Sequence, residues 1–280
     1  GSNAELSSKM TLAYMEGFQG KNISEKSVHT MVKHFPGGGP QENGLDPHLF
    51  SGRNQNYPGN NFNYHLLPFK DAIKNNLKVI MPYYGIPVGI TDEDVAMGYN
   101  EYILSDLLRN ELGFDGVVCS DWGIISGRHW GVDNLSIKER YKKSLIAGID
   151  QYGGEDDPEH IIRLINDGEI SIERINNSVR RILINKFDLG LFDNPYVNEK
   201  IIKEHVATDK NIAFGLDAQR KSIVLLENDG ILPLKNEQRV FVDGLDNQIA
   251  SNFGKVVNDP EKADVIIMYV HTVFNGNQES

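Results

Sequence analysis

Through the first 190 residues, helical runs with apolar residues at spacings of three and four alternate with short apolar runs that end in polar or glycine-rich residues. That is the rhythm of βα units. The pattern predicts strands over Val28–His34, Lys78–Tyr83, Gly116–Asp121 and Ala147–Tyr152, with helices over Ala4–Phe18, His65–Asn76, Asn100–Leu112 and Ile137–Ala147. Asp157 before Pro158 supplies an N-cap and a first-turn proline for a helix Glu159–Asn166, and Gly168 stops it. Ser171 opens a further helix through Phe187.

After Asp188 the texture changes to Gly190, Asn194 and Pro195, then a charged stretch, a helical segment near Ile212–Ala218 and a strand-like Ser222–Leu226. Arg239–Asp243 and Ala263–Val270 read as two parallel buried strands of another α/β unit, separated by Asn247–Phe253. The expected domains are therefore 1–190, a connector 191–236, and the truncated start of a second α/β domain at 237–280. A closed parallel barrel takes about eight strands over roughly 250 residues. Only four are legible in the first domain, so the C-terminal half of such a barrel is expected, with strands missing upstream.

A chain of 280 residues with 40% hydrophobic content can bury a real core. The net charge of −11 repels phosphate backbones and argues against nucleic acid as a partner. Runs such as Val79-Ile80-Met81 are too short to span a bilayer. The single cysteine, Cys119, excludes an intrachain disulfide framework and a cysteine-rich metal site, and reads as core filler.

Candidate chemistry gathers at the strand ends, where parallel barrels build their sites. Asp121-Trp122 ends the third strand, so Asp121 is either a presented carboxylate or the cap of the next turn. Lys33-His34 ends the first, just before Gly37-Gly38-Gly39. A phosphate cradle is disfavoured there, because the lysine precedes the glycines and no Gly-Lys-Ser/Thr follows. Met81-Pro82-Tyr83-Tyr84 ends the second strand, either as an apolar wall with a phenol donor or as core tyrosines. Gln151-Tyr152-Gly153-Gly154-Glu155-Asp156 ends the fourth. Polar forks, an aromatic face and a carboxylate on one rim are what a carbohydrate pocket requires.

These motifs, with Gly113-Phe114-Asp115-Gly116-Val117-Val118-Cys119-Ser120-Asp121-Trp122, Ala147-Gly148-Ile149-Asp150 and Lys186-Phe187-Asp188-Leu189-Gly190-Leu191-Phe192, resemble glycoside hydrolase family 3. Lys221-Ser222-Ile223-Val224-Leu225-Leu226-Glu227-Asn228 and Ile231-Leu232-Pro233-Leu234 resemble that family's lead into its second domain. The resemblance implies a (β/α)8-type barrel followed by an α/β sandwich, and a retaining exo-acting β-glycosidase that removes terminal glucosyl or xylosyl residues. In it Asp121 would be the nucleophile, Lys33 and His34 would bind sugar hydroxyls, Tyr84 would steady the nucleophile, and Trp122 would stack on substrate. Met81 would line the pocket. No metal or organic cofactor is implied.

Glu279 stands at about the right place for the general acid/base, with a frayed terminus as the alternative. Asp46 and His48 resemble the Asp/His pair of the family's N-acetylglucosaminidases, although Gly38 and Pro47 depart from that branch's pattern. A third expectation is a catalytically silent, sugar-binding half barrel. Its open parallel edge would invite self-association.

Overall fold

The computed structural model describes residues 2–235 and 237–271, and these form two compact units, the first ending at Tyr196 and the second beginning at Val197. Both are α/β units built on parallel sheets.

In the first unit a helix α1 (Ala4–Gln19) leads to the strand β1 (Met31–Phe35). The short strand β2 (Asn54–Gln55) and the helices α2 (Phe62–His65) and α3 (Leu67–Lys74) follow, then β3 (Val79–Pro82) and a two-residue β4 (Ile86–Pro87). A π-helix, Tyr102–Glu111, precedes β5 (Val117–Trp122). The unit ends with α4 (Ile137–Ala147), β6 (Gln151–Gly153), α5 (Glu159–Asn166) and α6 (Ile172–Asp188). The main sheet has the order β1-β3-β5-β6, every pairing parallel, so each crossover brings the next strand alongside the last. All four carboxyl ends therefore lie on one rim. β2 and β4 form a separate parallel pair.

Local chemistry sets the helix boundaries. Asn3 accepts from the Leu6 N–H to cap α1, Ser136 and Glu139 close a reciprocal capping box on α4, and Ser171 caps α6. The Asp157 carboxylate takes the Glu159 N–H at the start of α5. Two apolar clusters fill the unit. One gathers Phe35, Leu66, Phe69, Ile80, Leu104 and Val118, the other Tyr84, Tyr99, Ile125, Trp130, Tyr141 and Leu164.

Two strand starts and one helix differ from the sequence pattern. The first strand begins at Met31 rather than Val28, because the Thr30 N–H and hydroxyl are both held by the Gln19 side chain at the end of α1. The fourth begins at Gln151, since Ala147 closes α4 and Asp150 turns its carboxylate into a cluster of arginines. Pro68 divides the helix expected over His65–Asn76, leaving α2 and α3 on either side of Leu66.

In the second unit, α7 (Ile202–His205) and α8 (Asp209–Ser222) precede β7 (Arg239–Asp243), α9 (Asn247–Ala250), β8 (Lys255–Val256) and β9 (Val265–Met268). β7 lies between β8 and β9 and is parallel to both. β8 was not legible in the sequence. β9 is not fully buried as expected: Ile266 and Met268 are exposed, so only one face of that strand is covered. The apolar run Ser222–Leu226 is not a strand, because α8 extends through Ser222 and Ile223–Leu226 has no ladder partner among the described residues.

Candidate active site

Adjacent strands lie about 4.8 Å apart, so β1 and β5, separated by β3, stand about 10 Å apart at the backbone. His34 and Asp121 lean toward each other across the end of β3 until His34 Nε2 lies 3.3 Å from Asp121 Oδ2. Asp121 is buried, with 7% of its surface exposed. Its Oδ1 accepts the Trp122 N–H at 2.8 Å, while Oδ2 is buried and accepts no hydrogen bond among the described residues. A buried carboxylate oxygen without a donor is uncommon.

Asp121 does not cap the turn that follows. The Ile125 and Ser126 N–H groups are instead taken by Glu155 Oε1, at 2.9 and 3.0 Å.

Burial pushes the His34 imidazole below its ordinary value, and Lys33 and His48 add to that, whereas the Asp121 carboxylate opposes it. The net depression favours a neutral imidazole. Tyr84 lies just beyond β3 and is almost fully buried; its hydroxyl donates to the Trp122 carbonyl at 2.7 Å. Burial and then the Asp121 carboxylate raise the Tyr84 phenol, which keeps its proton. Tyr83 accepts from Gln41 Nε2 at 2.6 Å, and its ring lies 4.9 Å from that of His34. Met81 is buried beside Lys33 in the β1–β3 register, and Lys33 itself is exposed. Lys33 borders a cavity of 650 Å³ with Gly37–Gly39, Asn61, Tyr64 and His65.

The glycine loop has a packing reason. A Cβ on Gly38 would lie 3.1 Å from the Tyr83 ring, and one on Gly37 or Gly39 would lie 3.3 Å from His65. The loop is thus pressed onto the Tyr83 ring, which lies beside His34, and onto His65.

Asp46 and His48 enter the same neighbourhood on the segment between β1 and β2. Asp46 Oδ1 meets His48 Nδ1 at 2.7 Å, and the His48 ring packs edge-on to Tyr84 with centroids 4.8 Å apart. Burial pushes the Asp46 carboxyl up, but hydrogen bonds from the His48 backbone and side chain outweigh it, and the net direction is down. Trp130 Nε1 donates to the Pro47 carbonyl at 2.8 Å and pins this segment. The Arg128 guanidinium lies 5.2 Å from the centre of the Tyr84 ring. Trp122 is 54% exposed at the end of β5. Glu279 lies outside the described residues.

Sequence reasoning did not single out Arg128, and it held Ser120 and Glu155 only as members of the motifs ending the third and fourth strands, with no role of their own. Ser120 is fully buried; its hydroxyl donates to the Asp121 carbonyl and accepts the Gly153 N–H, tying β5 to β6 at the carboxylate. A hydroxyl immediately before a strand-end acid was the one available signal. Among the described residues, no three His, Cys, Asp or Glu side chains converge as a metal site, and no helix is long and apolar enough to cross a membrane.

The profile described as Glycosyl hydrolase family 3 N terminal domain matches residues 1–184. The chain is 45% identical over 283 residues to a protein of Aspergillus flavus named probable beta-glucosidase C, covering 96% of this chain and 45% of that protein. It is 36% identical over 301 residues to a periplasmic beta-glucosidase/beta-xylosidase of Dickeya chrysanthemi, covering 98% of this chain and 46% of that protein. The chain thus spans about half the length of the curated relatives it matches. Among solved structures, a beta-glucosidase of Listeria innocua in complex with gluconolactone superposes with a TM-score of 0.74 at 23% identity, covering 99% of this chain and 40% of that one. By the extent of the sequence match and the shared fold, this chain belongs to glycosyl hydrolase family 3.

Proposed function

We propose that the protein containing this chain is a retaining β-glycosidase that releases terminal β-D-glucosyl or xylosyl residues, with Asp121 as nucleophile. The reading rests on one observation above all: a buried Asp121 oxygen that accepts no hydrogen bond among the described residues and lies 3.3 Å from His34 Nε2 at a shared strand-end rim. In the first step Asp121 Oδ2 attacks the anomeric carbon. The glycosidic C–O bond breaks, and the leaving oxygen takes a proton from a general acid. In the second, water adds to the anomeric carbon, loses its proton to the same residue as base, and frees the carboxylate. An ionised Asp121 also stabilises the positive charge that develops on the sugar ring. His34 and Lys33 serve the hydroxyls of the terminal sugar, Tyr84 holds the backbone beside the nucleophile, Met81 backs the pocket, and Trp122 offers its exposed ring for stacking.

The four-stranded parallel sheet is read as the C-terminal half of a (β/α)8 barrel, residues 191–236 as a connector, and 237–280 as the start of an α/β sandwich. Glu279 is the proposed acid/base. A second reading is favoured by the 2.7 Å Asp46–His48 contact beside Tyr84, in which that pair shuttles the proton, as fits an N-acetylglucosaminidase.

The test uses the intact protein with 2,4-dinitrophenyl 2-deoxy-2-fluoro-β-glucoside and mass spectrometry of the resulting peptides. The fluorosugar is expected on Asp121, and Asp121→Asn should lower kcat on an aryl β-glucoside by about 10³-fold or more. Label on another carboxylate, or an Asp121→Asn variant of near-normal rate, would sink the assignment. Normal sugar binding with no turnover in the wild-type protein would favour a silent binding role.

A further inference from the structure

Every other half-buried arginine of the first unit donates to a carbonyl or a carboxylate: Arg53 to Phe50, Arg109 to Asp150, Arg140 to Ile125, Arg174 to Ile149 and Arg181 to Asp150. Arg128 is half-buried too, yet its guanidinium makes no hydrogen bond or ion pair among the described residues, and its Nε is shielded from solvent without a partner. A guanidinium presents its donors in a planar fork and has no acceptor. Leaving such donors unpaired in a partly dry setting is costly.

The fork stands in the candidate site. Its centre lies 5.2 Å from the centre of the Tyr84 ring, and Nη1 would be 3.8 Å from a Cβ on Gly123, two residues past Asp121. The Arg128 N–H reaches the Gly123 carbonyl at 2.9 Å, which closes the turn and returns the side chain to the end of β5. The acids around this rim are already engaged. Asp121 takes the Trp122 N–H and faces His34, Asp46 takes the His48 N–H and meets its ring, and Glu155 takes the Ile125 and Ser126 amides.

We propose that Arg128 reads a carboxylate on the glycoside, so that the site prefers acidic glycosides to neutral ones of similar shape. The inference deepens the glycosidase reading above and rests on it. A carboxylate meets the fork with two parallel hydrogen bonds and supplies the missing counter-charge. The net charge of −11 repels anions at long range, so such a preference has to arise locally. The carboxylate can be carried by the sugar ring, as in a β-glucuronide, or by the leaving group.

Calorimetry on the intact protein compares two pairs of thioglycosides, whose sulfur linkage resists cleavage. One pair is phenyl 1-thio-β-D-glucuronide and phenyl 1-thio-β-D-glucoside; the other is 4-carboxyphenyl 1-thio-β-D-glucoside and its 4-carboxamide. In at least one pair the acid is expected to bind about tenfold tighter, the scale of a hydrogen bond to a charged group. The pair that shows the preference tells which part of the glycoside carries the carboxylate. Arg128→Met should bring that ratio to about one, and Arg128→Lys, which keeps the charge but loses the fork, should fall between. If the methionine variant does not fold, the lysine variant and a weaker preference in about 1 M salt carry the test. Equal affinities within both pairs overturn the proposal, as does a preference that survives Arg128→Met, or failure of all four compounds to bind. An intact preference with no hydrolysis of the matching O-glycosides would leave Arg128 its role and defeat the glycosidase reading instead.

Discussion

Replacing Asp150 with asparagine removes one formal charge from the most heavily paired carboxylate of the first unit. Its side chain is fully buried. Oδ2 accepts from Arg109 Nη2 at 2.6 Å and from the Val118 N–H at 3.0 Å. Oδ1 accepts from the Ser178 hydroxyl at 2.7 Å and Arg181 Nη1 at 3.2 Å, with Arg174 Nη1 at 3.6 Å. Asparagine offers one acceptor oxygen in place of two and turns an NH₂ toward groups that are themselves donors. Two of the four hydrogen bonds are lost, each worth about 1.5–3 kcal/mol because a charge takes part. Arg109 and Arg174 also lose their counter-charge, while Arg181 keeps Asp115 at 3.1 Å, and breaking such a pair from one side costs about 3–5 kcal/mol.

The two routes agree on about 3–5 kcal/mol, a large part of the roughly 5–15 kcal/mol that holds a typical domain folded. Guanidinium-chloride unfolding followed by far-UV circular dichroism measures it as a lower midpoint at unchanged slope. Adding Arg109→Met to Asp150→Asn should restore part of the loss, since it removes one uncompensated buried charge. A loss below about 1 kcal/mol, or strict additivity in the double variant, would refute the claim that Asp150 is the common anchor of these arginines. The consequence reaches the candidate site. Val118, whose N–H Asp150 holds, lies three residues before Asp121 on β5.

Two further outcomes are expected. Burial is the largest influence on His29, His34, His65 and His129, and it holds all four below the ordinary 6.5. The unfolded chain then binds protons more readily than the native one, so their contribution is complete above pH 6.5 and is lost as pH falls through the native values. Unfolding midpoints measured from pH 7.5 to 5 should fall, and His65→Asn should flatten the slope; a flat wild-type profile contradicts the assignment. Cys119 is buried, and burial followed by the Asp121 carboxylate pushes its thiol up to about 11. Ellman's reagent should leave it untouched in the native protein and react with it after denaturation, and rapid native labelling would show that β5 is open to solvent.

The βα rhythm was legible because helix and strand periodicities are local. The caps Ser136 and Ser171, and Asp157, which takes the Glu159 N–H one residue ahead of the observed cap Pro158, stand within a few residues of the groups they satisfy, and α4, α5 and β7 fall where the pattern placed them. Strand ends were harder. Thr30 leaves β1 because a side chain on a different element takes its N–H, and nothing adjacent in sequence announces that. Ser222–Leu226 has the composition of a strand, but a strand also needs a neighbour with a free edge. Strand composition alone did not supply one among the described residues.

Which chemistry arrives at which strand end is written along the chain: Lys33-His34, Met81 through Tyr84, and Asp121-Trp122, each set by an apolar run stopping in polar residues. Their order in the chain also carried the family resemblance. What those groups do to one another followed from the packing of distant elements. It brought His34 within 3.3 Å of a carboxylate 87 positions away, assigned the next turn to Glu155 rather than Asp121, and laid Trp122 on Gly153 and Gly154. Periodicity acts over one or two turns of chain, whereas hydrogen bonds and ring contacts act over a few ångströms of space. Pairings between distant strands follow from sheet order and register, which no local pattern encodes.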